Sequence, residues 1–288
     1  MFILNCTKAA ADFFSTTKKG KKTSPLEPTP KQSISESISQ SITDAQATAN
    51  TPPQWHWLVH AIKVKGKNVL IAMDCQTRFS ITLYNLKKAD DGTFLTTLEQ
   101  HLTVHVHEQM VSVGADSQAI DDSMARYFQQ HTRRALYLRG DRSLQAHIND
   151  VAWHFKCWAD DLDSMPQAVD LIGHDTFVNQ LLRKRLAEKD YFYPQREFLR
   201  SWLKHYAVYT AAQADHCIDI LEAKDRAEFA ASHPNLVTPN LVTPNSLLNA
   251  SSQIDNSLPA LTAQTSDTEL ASNVISLDAY RKKKQLRH

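Results

Sequence analysis

Apolar positions along this chain fall into three regimes: short strand-like runs near the start, helical periodicity through the middle, and long polar stretches with very few. Phe2 to Cys6 predicts a short buried strand, and Lys8 to Phe14 a short helix with Phe13 and Phe14 on its inner side. Trp55 to Val64, Asn68 to Asp74 and Arg78 to Tyr84 are three β-rich segments, the first two joined through a Lys65-Gly66-Lys67 turn. Connections this short predict an antiparallel meander, because parallel neighbours need long crossovers. From Asp90 onward the spacing changes. Leu95, Leu98, Leu102, Val106, Met110 and Val113 mark one face of an amphipathic helix, with Asp91-Gly92 at its entrance. Further helices are predicted over Ser117 to Gln130, Ser143 to Leu162, Thr176 to Lys189, Gln195 to Tyr206 and Ala211 to Ser232. Arg134 to Leu138, RALYL, is short enough for a strand or a loop.

Two segments break this pattern. From Thr16 to Gln54 the chain is Lys, Ser, Thr, Pro and Gln, with too little apolar surface to offset ordering entropy, which predicts a disordered insertion. Within it Ile34, Ile38 and Ile42, at spacing four, suit a transient helix. From His233 the composition turns to Pro, Ser, Thr and Asn and contains the duplication NLVTPNLVTP at Asn235 to Pro244, the mark of a tolerant linker. The expected architecture is α+β: a small antiparallel sheet that includes the N-terminal strand, followed by a larger helical region. Residues 1–15 join the core, 16–54 form the insertion, 55–232 the single α+β core, and 233–288 a disordered tail.

Composition narrows the chemistry. Six glycines in 288 residues is far below the usual share of about 7%, and no GxGxxG or GxxxxGK[ST] occurs. Phosphate-cradling loops need such glycines, so a P-loop NTPase or a fingerprint-bearing dinucleotide enzyme is excluded. With 32 Lys and Arg against 31 Asp and Glu, the net charge of +1 means that any nucleic-acid affinity must come from a local patch. Cys6, Cys75, Cys157 and Cys217 form no CxxC pair and predict reduced thiols. The opening Met-Phe-Ile-Leu-Asn-Cys has no basic leader, and no apolar run approaches a membrane span. A cytoplasmic protein without a membrane partner is expected.

Three constellations are candidates for function. On the helix after Asp90, His101, His105 and Glu108 stand at i, i+4 and i+7; on the helix from Ser143, His147, Asp150 and His154 stand at i, i+3 and i+7. Each set spans roughly 60° of its helix, and if the two faced each other they would hold a divalent metal such as zinc, iron or manganese. No other cofactor is expected. The second candidate is the basic run from Arg183 to Tyr206. It brings Arg183, Lys184, Arg185, Arg196, Arg200 and Lys204 together with Tyr191, Phe192 and Tyr193, the mix of phosphate contacts and stacking rings used by single-strand and RNA binders. The third, a Ser143, His147, Asp150 order on one helix, lacks any visible oxyanion hole, and Asp141 or Ser143 is better read as a helix N-cap. A last short string, NVISLDAYRKKK at Asn273 to Lys284, would suit docking to a protein partner.

The N-terminal FILNCTK, the block from Trp55 to Leu86 ending in SITLYNLKKAD, and the later Asp141-Arg-Ser-Leu with Ile148-Asn-Asp together resemble bacterial proteins of an uncharacterised family, domain of unknown function 6933. The resemblance covers Met1 to about Leu162 without the insertion. Arg142, Ser143, Asn149 and Asp150 match its R-S-V-L-G-S-M-N-D segment, while Gln145 to Ile148 depart from it. The resemblance implies a fold and no activity. The functional expectation is a non-enzymatic accessory or regulatory protein that binds a macromolecule, nucleic acid or protein. The alternative is a metal-dependent hydrolase or nuclease built on the two His/carboxylate stripes.

Overall fold

A computed structural model describes residues 1–47, 54–162, 164–185 and 188–232. Residues Met1–Glu222 form one compact unit; the second begins at Ala223 and is described only as far as Ser232, within the last helix. The duplicated linker and the Asn273 to Lys284 string lie outside the described residues.

The main sheet has five strands in the order β6-β5-β4-β1-β7. These are β1 (Phe2–Cys6), β4 (Trp55–Val64), β5 (Lys67–Asp74), β6 (Ser80–Tyr84) and β7 (Arg134–Leu138). The meander β4-β5-β6 is antiparallel as expected. Its first turn is a two-residue hairpin at Lys65 (φ 47) and Gly66 (φ 77), the left-handed pair whose twist matches the strands it joins. Strand β1, however, runs parallel to both neighbours, with Phe2 opposite Trp55 on one side and Arg134 on the other. The sheet is therefore mixed rather than antiparallel throughout. Short loops dictate antiparallel pairing only for strands they join directly; β1 reaches β4, and β6 reaches β7, through helix-bearing connections long enough to reverse direction.

Helices cover both faces. On the first, Phe2, Leu4, Trp57, Val59, Leu70, Ile81 and Leu83 pack against α1 (Lys8–Phe14), α3 (Asp91–Ser112), α4 (Ser117–Gln130), α7 (Pro194–His205) and the start of α8 (Ala211–Ser232). On the second, Leu58, Ile71 and Met73 meet α2 (Ile34–Ala47), α5 (Arg142–Asp160) and α6 (Ala168–Asn179). A strand buried on both sides reads as a continuous apolar run, which is why Val69 to Met73 does not alternate.

As far as residue 47 the insertion carries secondary structure. A hairpin of β2 (Thr16–Lys18) and β3 (Lys21–Thr23) turns at Lys19-Gly20. The chain then runs along the outer edge of β7, Glu27 N–H donating to the Leu136 carbonyl (2.7 Å) and the Thr29 hydroxyl to that of Leu138 (3.0 Å), so that the sheet edge is closed. Helix α2 follows, opened by a capping box between Ser33 and Glu36. Ile34 is 2% exposed and Ile38 packs beside it: the spacing of these isoleucines supplies one apolar edge, which tertiary contact stabilises. Residues 48–53 lie outside the described residues.

The helix expected over Thr176 to Lys189 is displaced. Helix α6 ends at Asn179, whose side chain both accepts from the Ser80 N–H (2.7 Å) and donates to the Ser80 carbonyl (2.8 Å). Asp175 accepts from the Thr82 N–H (3.0 Å). These two side chains close the free edge of β6, and the backbone of Arg183 then pairs with that of Phe192 (2.8 and 2.9 Å), so long-range hydrogen bonds override local helix propensity.

Candidate functional site

The two histidine stripes are separated by the sheet. Leu98, Leu102 and Val106 anchor α3 in the first-face core, while Leu144, Ile148 and Val151 anchor α5 on the second face. Glu108 is exposed. His105 is buried beside Asp175 (Nε2 to Oδ2, 3.6 Å), and Asp175 also lies 3.4 Å from His174 Nδ1, whose ring stacks on Trp158 (5.2 Å, 18°). Burial pushes the Asp175 carboxyl up, but the imidazoles of His105 and His174 beside it hold it below its ordinary range. On α5, His154 lies 3.8 Å from Asp150. Among the described residues no group of three or more His, Cys, Asp or Glu is arranged to hold a metal.

The basic run divides into two parts. Along α7 the arginines face carboxylates: Arg196 donates to Glu222 (2.9 Å), and Arg200 to Asp215 (2.9 Å) and to Glu197. Lys204 is exposed. Before α7, the Arg183–Phe192 pairing folds the chain back on itself and sets cations over rings. Lys184 Nζ lies 5.3 Å from the Tyr191 centroid, the Arg185 guanidinium 4.1 Å from Phe192 and that of Arg196 4.1 Å from Tyr193. Tyr191 is 65% exposed. Arg185 also donates to Glu188 (2.7 Å) and to the Gln76 carbonyl (3.0 Å), which ties this loop to the β5–β6 turn.

That turn contributes an arginine whose role the linear pattern did not reveal. Asp74 organises it, accepting from the Thr77 backbone (3.0 Å) and from Trp55 Nε1 (3.1 Å). Arg78 closes it at φ 64, a left-handed conformation that costs a non-glycine residue roughly 1–2 kcal/mol. Its side chain is buried and donates to the Cys75 carbonyl, but Nε has no partner. Arg183, also buried, pairs with Asp150, while its Nε and Nη2 have none. Both act on His147 of the α5 stripe, which burial first, then Arg78 and Arg183, bring down to about 4. Two residues of the sequence-predicted metal set, His147 and Asp150, thus meet Arg183 of the predicted nucleic-acid set.

A second buried cation lies under α2. Arg139 Nε donates to Asn5 Oδ1 (2.8 Å), Nη1 to Ser37 Oγ (2.9 Å) and to the Gln32 carbonyl (3.1 Å), and Nη2 to His56 Nδ1 (3.3 Å). An arginine always donates, so His56 Nδ1 accepts and its proton sits on Nε2, which is buried without a partner. Burial, then Arg139, brings His56 down to about 4. In the sequence Arg139 sits in an Arg-Gly-Asp that reads as a turn. Asp141 is indeed the cap of α5, accepting from the Leu144 N–H (3.0 Å). Of the motif residues beside it, Arg142 and Asn149 are exposed and Ser143 and Asp150 partly so.

The family profile for domain of unknown function 6933 matches residues 3–197. The chain belongs to that family. No curated protein and no solved structure matches it. All four cysteines are free thiols, and no helix among the described residues is long and apolar enough to cross a membrane.

Proposed function

We propose that this member of the DUF6933 family is a non-enzymatic accessory protein of the bacterial cytoplasm that binds single-stranded nucleic acid. The surface is the one that the Arg183–Phe192 pairing builds against the β5–β6 turn. The observation that carries the reading is the exposed Tyr191 ring with Lys184 over it. A base stacks on such a ring while the neighbouring cation meets a phosphate, and neither contact depends on base identity. Arg185 and the α7 arginines contribute little, because carboxylates already neutralise them.

The test is fluorescence anisotropy with a labelled single-stranded oligonucleotide over a salt series. Binding should weaken as salt rises, with about 0.7 in the log–log slope for each phosphate contacted. Lys184→Gln with Tyr191→Ala should weaken it by roughly tenfold or more, since stacking contributes about 1–3 kcal/mol per base. Arg200→Gln should leave binding unchanged. Binding without salt dependence, or no binding at all, overturns the reading.

A further inference from the structure

We propose that the sheet face beneath α2 is a binding site for an oxyanion, the carboxylate or phosphate group of a small molecule, with Arg139 as the recognition group and α2 as its cover. Arg139 is 7% exposed, and among the described residues no carboxylate pairs with it. A buried cation is costly to hold without a counter-charge, yet all four of its acceptors are neutral.

The way those acceptors divide points to a site rather than a strut. Asn5 and His56 belong to the sheet and grip Nε and Nη2, and the guanidinium lies 5.8 Å from the Tyr137 ring of β7, so the sheet by itself supplies contacts that orient it. Only Nη1 reaches the cover, where it donates to the Ser37 hydroxyl and the Gln32 carbonyl. Those two oxygens occupy positions that the oxygens of a carboxylate or phosphate would take, with stronger, charge-assisted bonds.

The cover depends on tertiary contacts rather than on its own helix propensity. Its sequence, ISESISQSITDAQA, is dominated by serine and β-branched residues of modest helix propensity. Its one first-turn carboxylate, Glu36, is exposed and committed to Ser33. On the sheet side the protonated Nε2 of His56 still lacks an acceptor.

The experiment is amide hydrogen exchange over α2, read with inorganic phosphate and separately with acetate, against chloride at matched ionic strength. Either oxyanion should accelerate exchange from Ile34 to Thr43 saturably, by roughly tenfold, as expected when bonds from a charged group to the cover are replaced. Which of the two acts at lower concentration identifies the group. Ser37→Asp, which brings a carboxylate to Arg139 from the cover itself, should slow α2 exchange and abolish the oxyanion response. Arg139→Gln should abolish it as well. No response in the unaltered protein, or a response that survives Ser37→Asp, overturns the proposal. Lys184→Gln with Tyr191→Ala should leave the response intact, so failure here and failure of oligonucleotide binding are separately visible.

Discussion

The face of the sheet under α1, α3, α4, α7 and α8 is filled with rings, whereas the face under α2, α5 and α6 buries cations. On the first, Phe79 stacks on Phe198 (4.1 Å, 19°) and Trp55 on Phe198 (6.1 Å, 22°). Some ring polar atoms there are paired, as His131 with Tyr206 (2.7 Å) and Trp202 with Ser123 (3.1 Å), while Trp57 Nε1 and the Tyr127 hydroxyl are buried without a partner; none of these groups carries a full charge. On the second face, Arg78, Arg139 and Arg183 lie below 10% exposure; among the described residues Asp150 is the one carboxylate that pairs with any of them. Replacing a buried ionic group by well-packed apolar residues is often neutral or stabilising, so stability alone does not account for this second arrangement. The contrast separates a face that holds the fold from a face that is built to meet charge.

The largest expected break of this contrast is on the ring-filled face. Trp202 is 2% exposed at the centre of that packing, and Trp202→Ala should lower the unfolding free energy by about 3–5 kcal/mol. Urea unfolding followed by far-ultraviolet circular dichroism measures it. A loss under about 1 kcal/mol, in the range of ordinary surface substitutions, would mean that the first face is not the main store of stability.

Acid should act on both faces. Burial holds His56 at about 4 and His131 at about 3, both below an ordinary 6.5. Between pH 6.5 and 4 the unfolded chain therefore binds protons that the folded chain refuses. Their contribution is fully present above pH 6.5 and is lost as pH falls through that window, by about 1.4 kcal/mol per pH unit for each. The depressed Asp175 carboxyl adds its loss only below its ordinary 3.8. His131→Phe should flatten the slope of unfolding free energy against pH by one histidine's share, and an unchanged slope would show that His131 does not titrate as buried.

The smallest effect sharpens the second face. Arg78 combines a left-handed backbone with a buried unpaired Nε, so Arg78→Gly should be neutral or stabilising, by up to about 1 kcal/mol. In the same protein, oligonucleotide affinity should fall. A clear loss of stability instead would mean that Arg78 serves the turn rather than a ligand.

Much of this molecule was legible without its fold. The bounds of α4, Ser117–Gln130, match the periodicity because Asp116 caps it locally (2.7 Å to the Ala119 N–H) and its buried residues, Ile120, Ser123 and Tyr127, lie on one stripe. The meander followed from its short loops, and the family from residues that lie along β1, β4 to β6 and α5. These are properties of neighbours in sequence, where backbone geometry leaves few choices. Sequence by itself also nominated Arg183, Lys184, Arg185 and Tyr191 as a basic, aromatic patch. What it did not reach was decided over long separations. The parallel setting of β1, the ordering of α2 and the early end of α6 each depend on partners far along the chain. Arg139 meets Ser37 across 102 residues, and Arg78 shares His147 with Arg183 only because the turn, helix and loop that carry them converge on one face. A lone arginine in a turn carries no local mark of burial; only the path of the chain brings it to the groups that give it a role.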